Sequence, residues 1–263
     1  MDGSQRLRTI QQFISGKLVL EGELDELPEL GGFRFHDLPA SRQRKIKNRS
    51  IRGIVMNEHA DGEARFDIFR RINTGSLIAK EAEVRRGALA GPFLELVIKL
   101  AGDAQFESLA PVSDARKNLR EREELVTRFF AYGDGLEGYK DRPLQFLFDY
   151  AERMNEVFTV HPEKVEDYRN RFKTTLAFVN SVFPFGFKKT ATATTTPRSR
   201  FEAISIGSYH AIQSRQGLLD APPSVTKWLD GDEFAQITGA DGANAIKRLT
   251  TRINFVRDRL LGA

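Results

Sequence analysis

Apolar side chains recur at changing periods along this chain, and the change marks where one kind of structure gives way to another. Leu7, Ile10, Phe13 and Ile14 fall on one face at helical spacing, and Gly16 stands where such a helix stops. Residues 17–20 are a short apolar run and Phe33-Arg34-Phe35-His36 alternates; both patterns predict strands. Between them, 21–32 reads as an acidic loop carrying Leu24, Leu27 and Leu30 inward. Pro39 opens a predicted helix over 40–49, and 51–56 is a strand candidate broken by Gly53. A helix over 64–72, with Phe66, Phe69 and Ile72 at core spacing, ends at Asn73-Thr74-Gly75. Helices over 80–89 and from Pro92 onward, with Phe93, Leu96, Val97 and Leu100, close this part.

Beyond residue 101 the strand signals fade. Helices are expected over 114–130 with Ser113 as cap, and over 143–158, 162–183, 200–213, 224–229, 232–237 and 243–261. Ile246, Leu249, Ile253, Val256 and Leu260 make a seam on the last one, either a packing face or a homodimer face. A Thr/Ala-rich stretch within 188–199 predicts a mobile loop. Lys188, Lys189, Arg198 and Arg200 flank it, so it is either a plain surface loop or a lid over an anion. The fold class is α+β, mostly α, with domains over 1–102 and 103–263, the second an α-helical bundle.

Composition narrows the setting. Hydrophobic residues make up 40% of 263, enough for a packed core, and 20 Phe against 1 Trp predict ring packing between helices. Cysteine is absent, which excludes disulfides, thiolate nucleophiles and cysteine metal sites and suits a reducing cytoplasm. No apolar run reaches the ~18 residues of a spanning helix and the start is polar, so neither a membrane anchor nor a signal peptide is expected. The net charge of +4 permits nucleic acid without demanding it. The basic residues concentrate in the 40–49 helix, at Arg42, Arg44, Lys45, Lys47 and Arg49. Such density is either a solvated face or a DNA-binding patch, because like charges repel unless a polyanion offsets them.

Candidate chemistry lies at the front of the chain. Asp2-Gly3 is a turn dipeptide, and Ser4, Gln5 and Arg6 occupy the first turn of the helix behind it. A helix N-terminus presents unpaired N–H groups and a partial positive charge, and Arg6 adds a bidentate donor. The same residues also suit a simple cap. The Asp-Gly-x-Gln-Arg-Leu run, the Ile-Phe-x-Arg-Ile-Asn-Thr-Gly run ending at Gly75, and Glu83-Val84-Arg85-Arg86-Gly87 together resemble the N-terminal domain of GmrSD-type modification-dependent restriction enzymes. The likeness is specific over about residues 1–100, with Ser4 where the family usually has Gln.

That resemblance implies a ParB/sulfiredoxin-like N-terminal part, here lacking its first strands. It implies a nucleotide-binding module of a restriction or phage-defence protein that acts on or senses DNA, with triphosphate hydrolysis left open. Asp2, Gln5 and Arg6 would be catalytic; Gly3, Ser4, Asn73, Thr74, Gly75 and Arg85 would hold the nucleotide or its phosphates. Magnesium would arrive with the triphosphate, and an adjacent nuclease subunit would be a partner. From the spacing alone, Arg85 is equally an i,i+4 partner of Glu81. The alternative function is a non-catalytic DNA- or protein-binding scaffold, or a truncated remnant, of the same family. The four histidines, His36, His59, His161 and His210, are too scattered for the His-Asn-His nuclease of longer members, and no dedicated metal site is expected.

Overall fold

The computed structural model describes residues 4–20, 28–51, 85, 89–215, 217–239 and 242–262, with no side-chain placement for 4–6 and 28. The chain divides into two compact units, Met1–Ala79 and Lys80–Ala263. The boundary precedes the one expected after residue 102, because the helix at Pro92–Ala101 packs among the helices that follow it. All regular structure among the described residues is helical.

In the first unit, α1 (Ser4–Ile14) and α2 (Ala40–Lys47) flank a small apolar cluster. Leu30, Phe35 and Leu38 are buried there, with Phe13, Ile14, Leu20, Phe33 and Ile46 packed against them. Helix α1 stops as its sequence predicts. Gly16 takes φ +72°, its N–H donates to Phe13 O at 2.9 Å, and Lys17 N–H donates to Gln12 O at 2.9 Å. This is a Schellman ending, in which a left-handed glycine lets two late N–H groups satisfy the last carbonyls.

The strands expected at 17–20 and 33–36 do not form. Leu20 and the 32–33 segment exchange two backbone hydrogen bonds, of 2.9 and 2.8 Å, and no ladder develops from them. Phe35–Asp37 is instead a single 3₁₀ turn. The Asp37 carboxylate accepts the Arg34 N–H at 2.7 Å, which competes with any strand partner. Phe35 turns inward, edge-on to Phe13 at 5.8 Å. The expected strand at 51–56 and helices at 64–72 and 80–89 lie outside the described residues, apart from Ile51, Arg85 and Leu89.

The second unit is a helical assembly: α3 (Pro92–Ala101), α4 (Ala104–Leu109), α5 (Asp114–Asn118), α6 (Glu121–Asp134), α7 (Pro143–Val160), α8 (Lys164–Val182), α9 (Arg198–Ser214), α10 (Thr226–Leu229), α11 (Asp232–Ile237) and α12 (Ile246–Leu261). Rings fill its core, as the phenylalanine content predicts: Phe93 meets Phe130, Tyr150 and Phe158 edge-on, and Phe129, Phe130 and Phe106 converge on Phe172. Asn155 of α7 caps α3 from a distance, its Oδ1 accepting the N–H groups of Phe93 at 3.0 Å and Leu94 at 3.3 Å. The single helix expected over 114–130 is two helices, because Arg120 adopts the left-handed region (φ 59°, ψ 37°) and interrupts the α geometry.

Helix α9 is the axis of this unit and packs on α6, α8 and α12. It crosses α12 closely at Gly207, where a Cβ would lie 2.7 Å from Val256 Cβ and 2.8 Å from the Ile253 carbonyl oxygen. Leu249, Ile253, Val256 and Leu260 are buried in this unit, so most of the seam read as a packing or dimer face serves internal packing; Ile246 remains exposed. The 188–199 stretch is anchored at its far end: Thr196 and Ser199 are buried, and Arg198 and Arg200 make internal contacts rather than edging an open lid.

Gly207→Ala is expected to destabilise the protein by about 1–3 kcal/mol, since the added methyl meets backbone as well as side chain. A denaturant midpoint equal to that of the wild type would show that the crossing is looser than described.

Candidate functional site

Helix α1 begins at Ser4, so Ser4, Gln5 and Arg6 lie on its first turn. Asp2, Gly3, Asn73, Thr74 and Gly75 lie outside the described residues.

Among the described residues of the first unit, helix α2 carries the densest run of exposed charge. Pro39 opens it, Gln43 reaches back to the Leu38 carbonyl at 2.8 Å, and Ile46 is its apolar anchor. Arg42, Arg44, Lys45, Lys47 and Arg49, on the helix and just past its end, are all exposed. Arg42 approaches Glu29 at 3.7 Å, an exposed pair worth little in water. Lys47 lies 5.4 Å from the centre of the Phe35 ring. Arg44, Lys45 and Arg49 have no ion-pair partner among the described residues. The helix carries no acid in its first turn and three cations in its last, so its own dipole favours their placement.

Arg85 occupies a different setting from the anion site expected of it. It is 2% exposed, and its Nη2 donates to Glu124 Oε2. Glu124 Oε1 accepts Arg128 Nε at 2.6 Å, Arg128 Nη1 donates to Glu202 Oε1 at 2.8 Å, and Glu202 Oε2 accepts Arg252 Nη2. Arg252 also bonds the Ala243 carbonyl at 2.7 Å. Alternating charges thus run from Arg85 through α6 and α9 to α12. Alongside them, Arg198 forks onto Glu121 at 2.6 and 2.8 Å. Arg85, read from the sequence as an anion ligand or a partner of Glu81, forms an internal ion pair with Glu124; Glu81 lies outside the described residues.

Burial alone would raise the Glu124 carboxyl. Arg85, Arg128 and Arg198 outweigh it and hold that carboxyl far below the usual carboxylate range. Sequence reasoning missed this ladder. Its signal was the spacing Glu124-x-x-x-Arg128 inside an apolar helix, together with lone charges at Glu202 and Arg252 in otherwise apolar positions.

Among the described residues of the second unit, two hollows stand out. One, of about 270 Å³, lies between α8 and α9 and is lined by Asp167, Asn170, Arg171, Thr174, Tyr209 and Gln213 among others. Arg171 stacks 3.9 Å from the centre of the Tyr209 ring and pairs with Asp134. Asp134 also accepts from Tyr150 and, at 2.7 Å, from Tyr168. Burial and the Asp134 charge push the Tyr168 hydroxyl up to about 12, so it stays a donor at neutral pH. Burial, then Arg171 and Arg257, hold His210 below its ordinary value. The other hollow, of about 210 Å³, is lined by Ile98, Ala101, Gly102, Lys117, Arg120, Arg122 and Glu123. Among the described residues no group of three or more His, Asp or Glu could hold a metal ion, and no helix is long and apolar enough to cross a membrane. Comparisons with protein-family models, curated proteins and solved structures return no match.

The depressed Glu124 carboxyl links stability to acid. Its contribution is present above the unfolded carboxylate value of about 4.3 and is lost as pH falls below it. Glu124→Gln is expected to cost about 3–5 kcal/mol at neutral pH, because it strands buried guanidinium charge, and to flatten the loss of stability below about pH 4. Urea unfolding at several pH values measures both. An unchanged acid slope in the variant would remove Glu124 as its source.

Proposed function

We propose that this chain is a nucleotide-binding, DNA-engaging module of the GmrSD type, belonging to a restriction or defence protein that acts on or senses DNA. The observation that carries the proposal is α2, which with Arg49 just past its end presents five exposed cations against a small apolar cluster, with one long ion pair to offset them among the described residues. Phosphate diesters of a duplex supply the missing counter-charge, and release of their condensed counterions drives the association. This surface positions DNA through its backbone and reads no bases.

The nucleotide half rests on the sequence resemblance and on helix α1 starting at Ser4, directly behind Asp2-Gly3. In this reading the first-turn N–H groups and Arg6 hold phosphate oxygens, and Arg6 offsets charge developing on them. Gln5 orients the attacking water, and Asn73 with Thr74 and Gly75 closes the seat. Magnesium would enter with the triphosphate. Asp2, which lies outside the described residues, is the carboxylate that would meet it.

A second reading, a non-catalytic scaffold of the same family, is favoured by one observation. Arg85, expected in the nucleotide pocket, is committed to the buried ladder. Triphosphate turnover separates the two readings. The enzymatic one predicts that Arg6→Ala lowers turnover about 100-fold or more; equal turnover in both proteins, or none in the wild type, leaves the scaffold.

For α2, duplex DNA affinity measured across salt is expected to fall steeply. Changing Arg44, Lys45 and Lys47 together to Ala should reduce the log–log salt slope by roughly 2–3. An unchanged slope would place the DNA contact elsewhere.

A further inference from the structure

We infer that the hollow at the α5–α6 elbow is a binding site for a phosphoryl group, carried by inorganic phosphate or by the terminus of a nucleotide. Three cations line it, Lys117, Arg120 and Arg122, with one carboxylate, Glu123. The floor is the last turn of α3, at Ile98, Ala101 and Gly102. The left-handed backbone at Arg120 ends α5 and starts α6, so residues that a continuous helix would scatter around its axis line one cavity.

The charges are not balanced within the cavity. Arg120 Nη1 meets Glu123 Oε1 at 3.1 Å, and Arg122 Nη1 meets Glu107 Oε1 at 2.7 Å. Arg122 Nε is buried and donates to nothing among the described residues, and exposed Lys117 has no ion pair among them. A buried charged donor without an acceptor is costly, and a small rotation of the Arg122 guanidinium would let an anion in the hollow satisfy it. Guanidinium edges on an ammonium-rimmed hollow match the several oxygens of a phosphoryl dianion. About 210 Å³ accommodates such a group with a few attached atoms. The site uses neither α1 nor α2, so it does not rest on the function proposed above.

The test is calorimetric titration of the full chain with inorganic phosphate, and with ATP in the Arg6→Ala background to silence the front of the chain. One saturable site for phosphate is expected. Lys117→Ala and Arg122→Lys should each weaken it tenfold or more, while Arg44→Ala, Lys45→Ala and Lys47→Ala together leave it unchanged. Lys117 is exposed, so its variant keeps the fold, and an unchanged melting temperature verifies this. Tighter binding of ATP than of phosphate, lost in Lys117→Ala, assigns the terminus of a nucleotide; equal or weaker binding of ATP assigns free phosphate. No saturable phosphate uptake by the wild type, or wild-type affinity in both variants, overturns the site.

Discussion

The Glu124 carboxylate is the point on which the second unit depends. It sits inside the helical assembly between two guanidinium groups, and the chain of charge continues from it through Arg128 and Glu202 to Arg252. Desolvating so many charges is unfavourable, and each is tolerated only because its neighbour is opposite and well placed. The same requirement makes the arrangement specific. A helix shifted by one turn would leave a buried charge unmatched, so the ladder fixes the register of α6, α9 and α12 as well as their proximity. Ring packing supplies the bulk of the apolar burial, and the ladder selects one way of stacking it.

That division of labour separates two populations of arginine. Those at 85, 128 and 252 are at most 2% exposed and hold the architecture together. Those on α2, and the cations around the α5–α6 elbow, face solvent or a hollow and are the ones available to a polyanion or a phosphoryl group. Neutral polar groups dominate the α8–α9 hollow, where Arg171 is already held by Asp134 and the Tyr209 ring.

Much of the helical architecture was legible before any coordinates. Helices over 143–158, 162–183, 200–213 and 243–261 were expected from apolar spacing and proline starts, and helices stand at Pro143–Val160, Lys164–Val182, Arg198–Ser214 and Ile246–Leu261. The stop at Gly16 was legible for a similar reason, since one residue type favours that backbone conformation. What was illegible depended on contacts between segments distant in sequence. Alternation at Phe33-Arg34-Phe35-His36 mimics a strand, but Asp37 bonds the Arg34 N–H and Phe35 turns onto Phe13. Arg120 gives no local sign of a left-handed backbone. The pairing of Arg85 with Glu124 gave no local sign, because the two stand 39 positions apart. The exposure of α2, by contrast, followed from composition alone: five cations in ten residues leave one face for the core.

A double-mutant cycle between Glu202→Gln and Arg252→Met, read as unfolding free energy at neutral pH and low salt, tests the ladder most directly. If buried alternating charge sets the packing of α9 on α12, the two substitutions couple by about 2 kcal/mol or more, the double variant being far more stable than the sum of the single losses allows. Strict additivity of the two losses would contradict the account and leave the rings and the Gly207 crossing as the determinants of the fold.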